Sequence, residues 1–491
     1  MVESEVQERI NTSEETVFAG EVSVLKKKKI VLGILIGCLL LSLFPWLNMQ
    51  CYAADSVNYC GDKAFVSKMR QECSGNVSKS SGKKYYISTN GSDRGTGSKS
   101  KPFRTFAKAL KKLKPGDTLY VRKGTYKENI VIPAKCRGTK DKYITICNYG
   151  NEKVVLNGKA GKSKTILAIN GASYLRIAGL EFANLTAQDA CGVSVAAGTN
   201  HLILSGNTFH DIKVNKPAKR DHCANGILLY GDDGQKAIQN VLIYGNNLYD
   251  CQTGWAECIS VTANCKNINV VKNTINNTGN IGIDFSGNYG YCGDASRDFP
   301  RNCLAYKNKV TNCVSPNATA YGIYVDGGQH IEISSNQVSK CSGGIEIGAE
   351  EKPPKGAYST SDIQVLKNNV KNNTENGITV GGYQKNLGWV NNVTITGNTC
   401  KNNGKNNAIL TLAKCNGVTL QDNTFCNDSG EAAIVYSEFS SSYTKNIVFK
   451  NNRYSNGGTK KSTCFVYLGK TYTSFDAWKK VVGKNAGRYQ E

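Results

Sequence analysis

The stretch that decides the fold is a short asparagine motif, KNTI at Lys272–Ile275, which returns as KNKV at Lys307–Val310 and as KNNV at Lys367–Val370. Nine asparagines of this kind recur at intervals of 25 to 39 residues, which is the spacing of a solenoid. They are Asn207, Asn246, Asn273, Asn308, Asn336, Asn368, Asn398, Asn423 and Asn452. A loop-rich sandwich with many asparagines would not keep this phase.

Each repeat also carries a β-branched run and a second strand that starts with Gly-Ile, as at Gly322–Asp326. Inward apolar residues alternate there with outward ones, which predicts short strands that stack about 4.8 Å from the same strand of the next turn. The asparagine amides of successive turns can then bond to one another as a ladder. We therefore predict an all-β fold, a right-handed parallel β-helix, with a capping helix at each end.

The N-terminus has the composition of an export signal. Four lysines at 26–29 precede an apolar run at 30–47, and the small residues Ala53 and Ala54 follow. An uncleaved membrane anchor and a lipoprotein box at Cys38 are the alternatives. The chain is thus divided into a signal peptide (1–54), a leader or linker that is disordered or tied by a disulfide (55–82), an N-terminal cap with the first turns (83–165), the β-helix repeats (166–456) and a C-terminal cap (457–491).

Two segments are predicted to cover the open ends of the solenoid, because exposed sheet edges invite aggregation. The first is a helix that follows Lys101–Phe103 and has Phe106 among its apolar positions. The second begins at Ser474 as N-cap, contains Trp478 and stops at Gly483.

The formal net charge of +23 requires an explanation. No nucleic-acid-binding motif is present, so for an exported chain the predicted partner is an acidic polysaccharide, with a merely solvated basic surface as the alternative. We expect a monomer that is secreted, or held at the cell surface if the leader is retained.

Nineteen cysteines are present, and export favours pairing of some of them. Cys60 with Cys73, and Cys292 with Cys303, are close enough in sequence to close small loops. Buried free thiols are the alternative for others.

The segment Tyr85–Tyr126, with KPF at 101–103, PGDT at 115–118 and RKGTY at 122–126, resembles the N-terminal part of secreted pectate-lyase-like β-helix proteins, most of all polysaccharide lyase family 9. YVDGG at 324–328 and GIEIG at 344–348 resemble parallel β-helix repeat proteins. The resemblance covers about residues 83–485 and implies the fold more firmly than the chemistry. Family 9 enzymes use an aspartate cluster for calcium and a lysine base. Asp232-Asp233 is the one adjacent aspartate pair here, and no lysine matches by motif.

Aligning the Gly-Ile strands places Asp284, Tyr324, Asp326 and Glu346 on one outward face, with Glu350 in the loop that follows. Three interpretations stay open at this point. In the first, Asp326, Glu346 and Glu350 bind Ca²⁺, the candidate cofactor. In the second, Asp326, Glu346 and Asp284 are catalytic carboxylates. In the third, all of them are solvated residues paired with lysines.

Tyr324, Arg297 and Arg301 are the predicted substrate-binding residues, the arginines as partners for an acidic sugar. The leading hypothesis is a polysaccharide lyase that cleaves a uronate polymer such as pectate by β-elimination. A glycoside hydrolase that uses paired carboxylates is the second, and a non-catalytic adhesion protein is the third.

Overall fold

The structure is a computed structural model that describes residues 57–77, 81–160, 163–220, 222–353, 359–405, 407–428, 433–457 and 464–490. The predicted signal peptide lies outside these residues, so its cleavage stays a prediction. Within the described ranges no helix is long and apolar enough to cross a membrane.

The described residues form short strands and few helices. The helices are α1 (Lys63–Cys73), α2 (Phe106–Leu110) and α3 (Phe475–Val482), with single 3₁₀ turns at Gly158–Ala160 and Lys484–Ala486. The first strands are β1 (Lys84–Ile87), β2 (Thr118–Val121), β3 (Gly124–Tyr126), β4 (Ile130–Pro133), β5 (Ile144–Asn148), β6 (Val154–Asn157), β7 (Thr165–Asn170), β8 (Ser173–Ala178), β9 (Glu181–Thr186), β10 (Ala190–Ala196), β11 (Asn200–Ser205), β12 (Thr208–Lys213), β13 (Ala224–Gly231), β14 (Ile238–Tyr244), β15 (Asn247–Cys251), β16 (Ile259–Ala263), β17 (Cys265–Val271), β18 (Thr274–Thr278), β19 (Ile283–Ser286) and β20 (Arg301–Tyr306). The remaining strands are β21 (Lys309–Cys313), β22 (Tyr321–Asp326), β23 (Gln329–Ser334), β24 (Gln337–Ser339), β25 (Gly343–Gly348), β26 (Thr360–Leu366), β27 (Asn369–Lys371), β28 (Asn376–Val380), β29 (Val390–Thr396), β30 (Thr399–Lys401), β31 (Ala408–Leu412), β32 (Cys415–Gln421), β33 (Thr424–Cys426), β34 (Ala433–Tyr436), β35 (Thr444–Lys450), β36 (Asn452–Ser455), β37 (Phe465–Tyr467), β38 (Lys470–Tyr472) and β39 (Gly487–Tyr489).

These strands build three sheets of 13 strands each, and the predicted right-handed parallel β-helix is confirmed. Each turn contributes one strand to each of the three sheets, as β4, β5 and β6 do. Each strand pairs in parallel with the same strand of the next turn. One hairpin, β37 with β38, is antiparallel. Sheet I runs β1-β2-β5-β8-β11-β14-β17-β20-β23-β26-β29-β32-β35, sheet II runs β4-β7-β10-β13-β16-β19-β22-β25-β28-β31-β34-β37-β38, and sheet III runs β3-β6-β9-β12-β15-β18-β21-β24-β27-β30-β33-β36-β39.

The core is made of columns that run along the solenoid axis. One column of sheet II consists of Ile227, Ile259, Ile283, Ile323, Ile345, Ile378 and Leu410, which pair in register on successive turns. Every one of these side chains is completely buried. Because the period of a strand is two residues, the neighbours of this column must point outward.

The nine asparagines form one continuous ladder from Asn207 to Asn452, as the spacing predicts. The Asn308 amide donates to the Asn336 side-chain oxygen at 3.0 Å and to the Val270 carbonyl at 2.8 Å. The left-handed backbone of each turn belongs to the residue before the asparagine, with φ near +55° at Lys272 and Lys307. The residue before each asparagine bends the chain, and the hydrogen bonds of the ladder therefore stabilise that turn.

Both predicted capping helices are present. Helix α2 packs Phe106 into the core beside β1 and β4, after its N-cap Thr105. Helix α3 starts at Ser474, whose hydroxyl accepts a hydrogen bond from the amide of Ala477 at 3.3 Å, and it buries Trp478 completely.

Residues 58–77 differ from the prediction of a disordered or disulfide-tied leader. They contain α1, whose Glu72 forms an ion pair of 2.7 Å with Arg176 on sheet I. The structure shows no disulfide between Cys60, which precedes α1, and Cys73, which is the last residue of α1. This pairing stays a prediction.

The second predicted disulfide is absent as well. Cys292 lies in the loop after β19, whereas Cys303 is 1% exposed and belongs to the apolar core. Among the described residues no disulfide is present.

Candidate functional site

A cavity of about 450 Å³ opens on the outer face of sheet II. Its floor comes from β13, β16, β19, β22 and β25, and loops on either side of these strands form its walls. Five carboxylic side chains line it, and we call them the acidic cluster: Glu257, Asp284, Asp326, Glu346 and Glu350.

Strand register brings the predicted site residues together. Asp284 pairs with Tyr324, and Tyr324 pairs with Glu346, so these three form one row across adjacent turns. Asp326 lies two residues further along β22, opposite Gly348. The row and the loop residue Glu350 meet in one cavity.

Two members of the acidic cluster, Asp284 and Asp326, are buried although they occupy outward positions of their strands, and the other three are half-buried. Asp284 is 3% exposed and Asp326 is 2% exposed, because wall loops cover them. Burial, followed by repulsion from Glu350, raises the pKa of Asp326 to about 7. The same two causes raise the pKa of Glu257 to about 7.

Asp326 accepts two hydrogen bonds that favour its ionised form. One of its oxygens accepts a hydrogen bond of 2.7 Å from the backbone amide of Glu350, and the other accepts a hydrogen bond from the hydroxyl of Tyr289. Both donors stabilise the ionised form, against the opposing effect of burial.

Two tyrosines join Asp326 to Glu350. The Tyr289 hydroxyl lies 3.5 Å from Glu350 Oε2 and also contacts Asp326, so the two carboxyl groups lie within roughly two hydrogen-bond lengths of each other. The Tyr324 hydroxyl donates to Glu350 Oε1 at 3.1 Å. Its ring passes over Gly348, where an added Cβ would lie 2.7 Å from the ring, so the absence of a side chain at this position makes room for it.

Glu346 and Asp284 have a different environment from Asp326. Burial raises the pKa of Glu346 well above its ordinary value, and repulsion from Glu350 and Asp326 adds to the effect. Burial and then repulsion from Glu257 and Asp326 likewise raise the pKa of Asp284. Within the described residues, Oδ1 of Asp284 has no hydrogen-bond partner. These two groups therefore hold a proton more readily than an exposed carboxyl group does.

The wall opposite Tyr289 contains residues that the sequence interpretation did not select. Arg220 lies over the Trp255 ring at 5.9 Å from its centroid. Trp255 Nε1 and Asn280 Oδ1 are buried without a hydrogen-bond partner among the described residues. The signal available in the sequence was the rarity of tryptophan, which occurs four times.

The predicted arginines do not line the cavity. Arg301 donates to Asn264 Oδ1 at 2.9 Å, since β20 belongs to sheet I and carries this side chain away from sheet II. Arg297 donates to the carbonyl of Gly234 at 2.8 Å and pairs with Asp294. Neither arginine is among the residues that line the cavity, and their role in substrate binding stays a prediction. Among the described lining residues Arg220 is the single cation.

The described carboxylates do not fit a calcium site. Calcium takes six to eight oxygen ligands. In this arrangement both oxygens of Asp326 and one of Glu350 already accept hydrogen bonds. No group of three or more His, Cys, Asp or Glu side chains among the described residues has the geometry to hold a metal ion.

The comparisons with known proteins agree with this architecture. The uncharacterized protein YwoF of Bacillus subtilis is 32% identical over 334 residues, which are 65% of this chain and 68% of that protein. The native GH136 lacto-N-biosidase from Eubacterium ramulus is similar with a TM-score of 0.52 and 14% identity, over 79% of this chain and 69% of that chain. Pectate lyase Pel9A is similar with a TM-score of 0.43 and 12% identity, over 84% and 88%. At 14% identity the lacto-N-biosidase structure shows a similar fold alone.

The family comparison covers most of the solenoid. The model of the Pel9A-like right-handed β-helix region matches residues 85–423, which is more than half of the chain. The chain belongs to the Pel9A-like right-handed β-helix family.

Proposed function

We propose that this protein is a glycoside hydrolase, with Asp326 and Glu346 as its catalytic pair. The observation that carries the proposal is the acidic cluster, in which buried carboxyl groups share one cavity with a single cation among the described lining residues. Glycosidases need two carboxyl groups, one ionised and one protonated. Environments that push the pKa values of two such groups apart supply that pair.

Asp326 is assigned the role of the ionised group. The Tyr289 hydroxyl and the Glu350 amide both donate to it. In this role it either attacks the anomeric carbon or takes a proton from the attacking water. The separation of the two carboxyl groups in the substrate complex decides between these routes.

Glu346 is assigned the role of the general acid. Its raised pKa keeps a proton available, and no hydrogen bond contributes to its ionised form among the described residues. The proton passes to the glycosidic oxygen while the bond between that oxygen and the anomeric carbon breaks. Water then replaces the leaving sugar, and the proton balance is restored when Glu346 is protonated again.

Aromatic side chains line the cavity, and their flat apolar faces suit packing against a sugar ring. Tyr291 is 46% exposed and stacks on Tyr289 with ring centroids 5.5 Å apart. Trp255 also lines the cavity. Such side chains combine apolar faces with polar edges. Oδ1 of Asp284, which has no hydrogen-bond partner among the described residues, can accept a hydrogen bond from a sugar hydroxyl.

β-Elimination on a uronate polymer is the second candidate, because of one specific observation. Arg220 places a guanidinium at the cavity wall, where it can neutralise a uronate carboxylate, and Glu257 with a pKa near 7 can act as the base. The surrounding carboxylates oppose an anionic sugar, which ranks this reaction below hydrolysis.

The test is incubation of the protein with a panel of neutral and acidic polysaccharides. If the protein is a hydrolase, we expect new reducing ends without the ultraviolet absorbance of an unsaturated product. Reducing ends that appear together with that absorbance mean elimination and overturn the proposal. If the folded protein releases no product from any glycan, this result favours a binding function.

Calcium binding, which the sequence predicts, can be tested by chelation. Because the oxygens of Asp326 already bond to Tyr289 and Glu350, we expect turnover to be unchanged by EDTA and by added Ca²⁺. Turnover that EDTA abolishes and Ca²⁺ restores would contradict this, and it would show that the acidic cluster rearranges around a cation.

A further inference from the structure

A second group of aromatic and basic side chains lies beyond the cavity, toward the C-terminal end of the solenoid. Trp389 comes directly before β29, and Lys414 and Lys445 place their ammonium groups 5.2 and 5.0 Å from its ring centroid. Tyr443 stacks at 6.5 Å from the Trp389 ring, and Lys385 lies 5.6 Å from the Tyr443 ring centroid. We call these five residues the lysine–tryptophan cluster.

The cluster borders a hollow of about 330 Å³ on the edge of sheet I. Asn391, Asn416 and Lys445 line it and pair in register on three adjacent strands. They therefore present polar groups at steps of about 4.8 Å along the solenoid axis. Ser359 and Trp389 complete the lining, which contains no acidic residue among those described.

The positive charges of the cluster are not neutralised within the described structure. Lys414 is 5% exposed and donates to the carbonyls of Lys385 and Leu387. Burial lowers its pKa, and repulsion from Lys352 adds to the effect. No described carboxylate forms an ion pair with Lys414 or Lys445, so an external anion would relieve this repulsion.

The cluster lies one turn beyond the last strand of the candidate site. Glu346 is on β25, the next strand of sheet II is β28, and the loop from β28 to β29 carries both Tyr383 and Trp389. Tyr383 is 57% exposed on this loop. The loop thus leads from sheet II, whose outer face carries the cavity, to the cluster on sheet I.

We propose that the lysine–tryptophan cluster is a binding site for a polysaccharide that carries carboxylate groups, outside the position of bond cleavage. The exposed ammonium group of Lys445 pairs with a carboxylate, and the buried charge of Lys414 adds to the attraction. Asn391 and Asn416 bond to hydroxyl groups. The net charge of +23 indicates an anionic partner, and this cluster is the place where such a partner would bind. It holds whichever bond the acidic cluster acts on, because it concerns binding alone.

Binding of polygalacturonate to the Asp326→Asn chain tests the proposal without turnover, with neutral galactan as the comparison. Lys445→Gln should weaken binding of polygalacturonate by roughly tenfold, the effect of losing one hydrogen bond to a charged group. Lys450→Gln is the matched control, since Lys450 is an exposed lysine at the other end of the same strand β35. It should change affinity by less than about twofold, and added salt should weaken binding.

Three results would overturn the proposal. One is equal weakening by both substitutions, which would mean non-specific attraction to a basic surface. Another is equal affinity for galactan and polygalacturonate. The third is no binding of polygalacturonate by the folded parent chain. The failure of hydrolysis in the glycan panel would leave these measurements intact, so the two proposals fail separately.

Discussion

The Asp326→Asn substitution should lower kcat by roughly a thousandfold or more, the scale of losing a positioned acid–base group, while the chain stays folded. The amide keeps the shape of the side chain and can still accept the hydrogen bond from the Glu350 amide. It cannot carry the negative charge that the Tyr289 hydroxyl and the backbone amide of Glu350 stabilise. The measurement is turnover of the glycan identified by the panel, with circular dichroism as a check of the fold.

Glu351→Gln is the matched control for this variant. It removes one carboxylate from the exposed loop residue next to Glu350, and Glu351 is outside the acidic cluster. Turnover should stay within about twofold of the parent. If Asp326→Asn keeps its turnover on the true substrate, the acidic cluster is not the catalytic centre.

The pH dependence of kcat/KM follows from the same side chains. The pKa of Asp326 is about 7, so this group is protonated below pH 7 and activity should rise as pH increases through 7. Glu346 has a pKa raised well above its ordinary value and must stay protonated, so activity should fall again at higher pH. An optimum near pH 4 would contradict these roles.

Asn368→Ala should lower the free energy of unfolding by roughly 3–5 kcal/mol, because several buried groups lose their partners together. The Asn368 amide donates to the Ile333 carbonyl at 2.8 Å and to Asn398 Oδ1 at 2.9 Å. Its oxygen accepts from the backbone and the side chain of Asn336. Denaturant unfolding followed by circular dichroism measures the loss.

The adjacent asparagine provides the control. Asn369 belongs to the same motif, but its side chain points to solvent from β27. Asn369→Ala should change the free energy of unfolding by less than about 0.5 kcal/mol. Equal losses for both variants would mean that the ladder contributes no more than a surface asparagine does.

The architecture could be predicted because a solenoid repeats its local interactions. The spacing of the nine asparagines determines which residues stack, and Asn308 and Asn368 lie in the predicted column. The Gly-Ile starts determine register in the same way, so Asp284, Tyr324 and Glu346 fall in one row. The capping helices followed from local N-cap and apolar signals.

The environment of the site came only from the tertiary structure. A period of two residues tells which side of a strand Asp326 occupies, but the burial of that side depends on loops that do not repeat. Tyr289 reaches Asp326 across 37 positions of the chain, and Arg220 meets Trp255 from another turn. The sequence did not show that Arg301 lies away from the cavity, because its strand β20 belongs to sheet I and not to sheet II. The sequence by itself determined the columns of the solenoid, because each column repeats a local pattern. The packing of unique loops over sheet II decided which outward carboxylates became a buried cluster with raised pKa values.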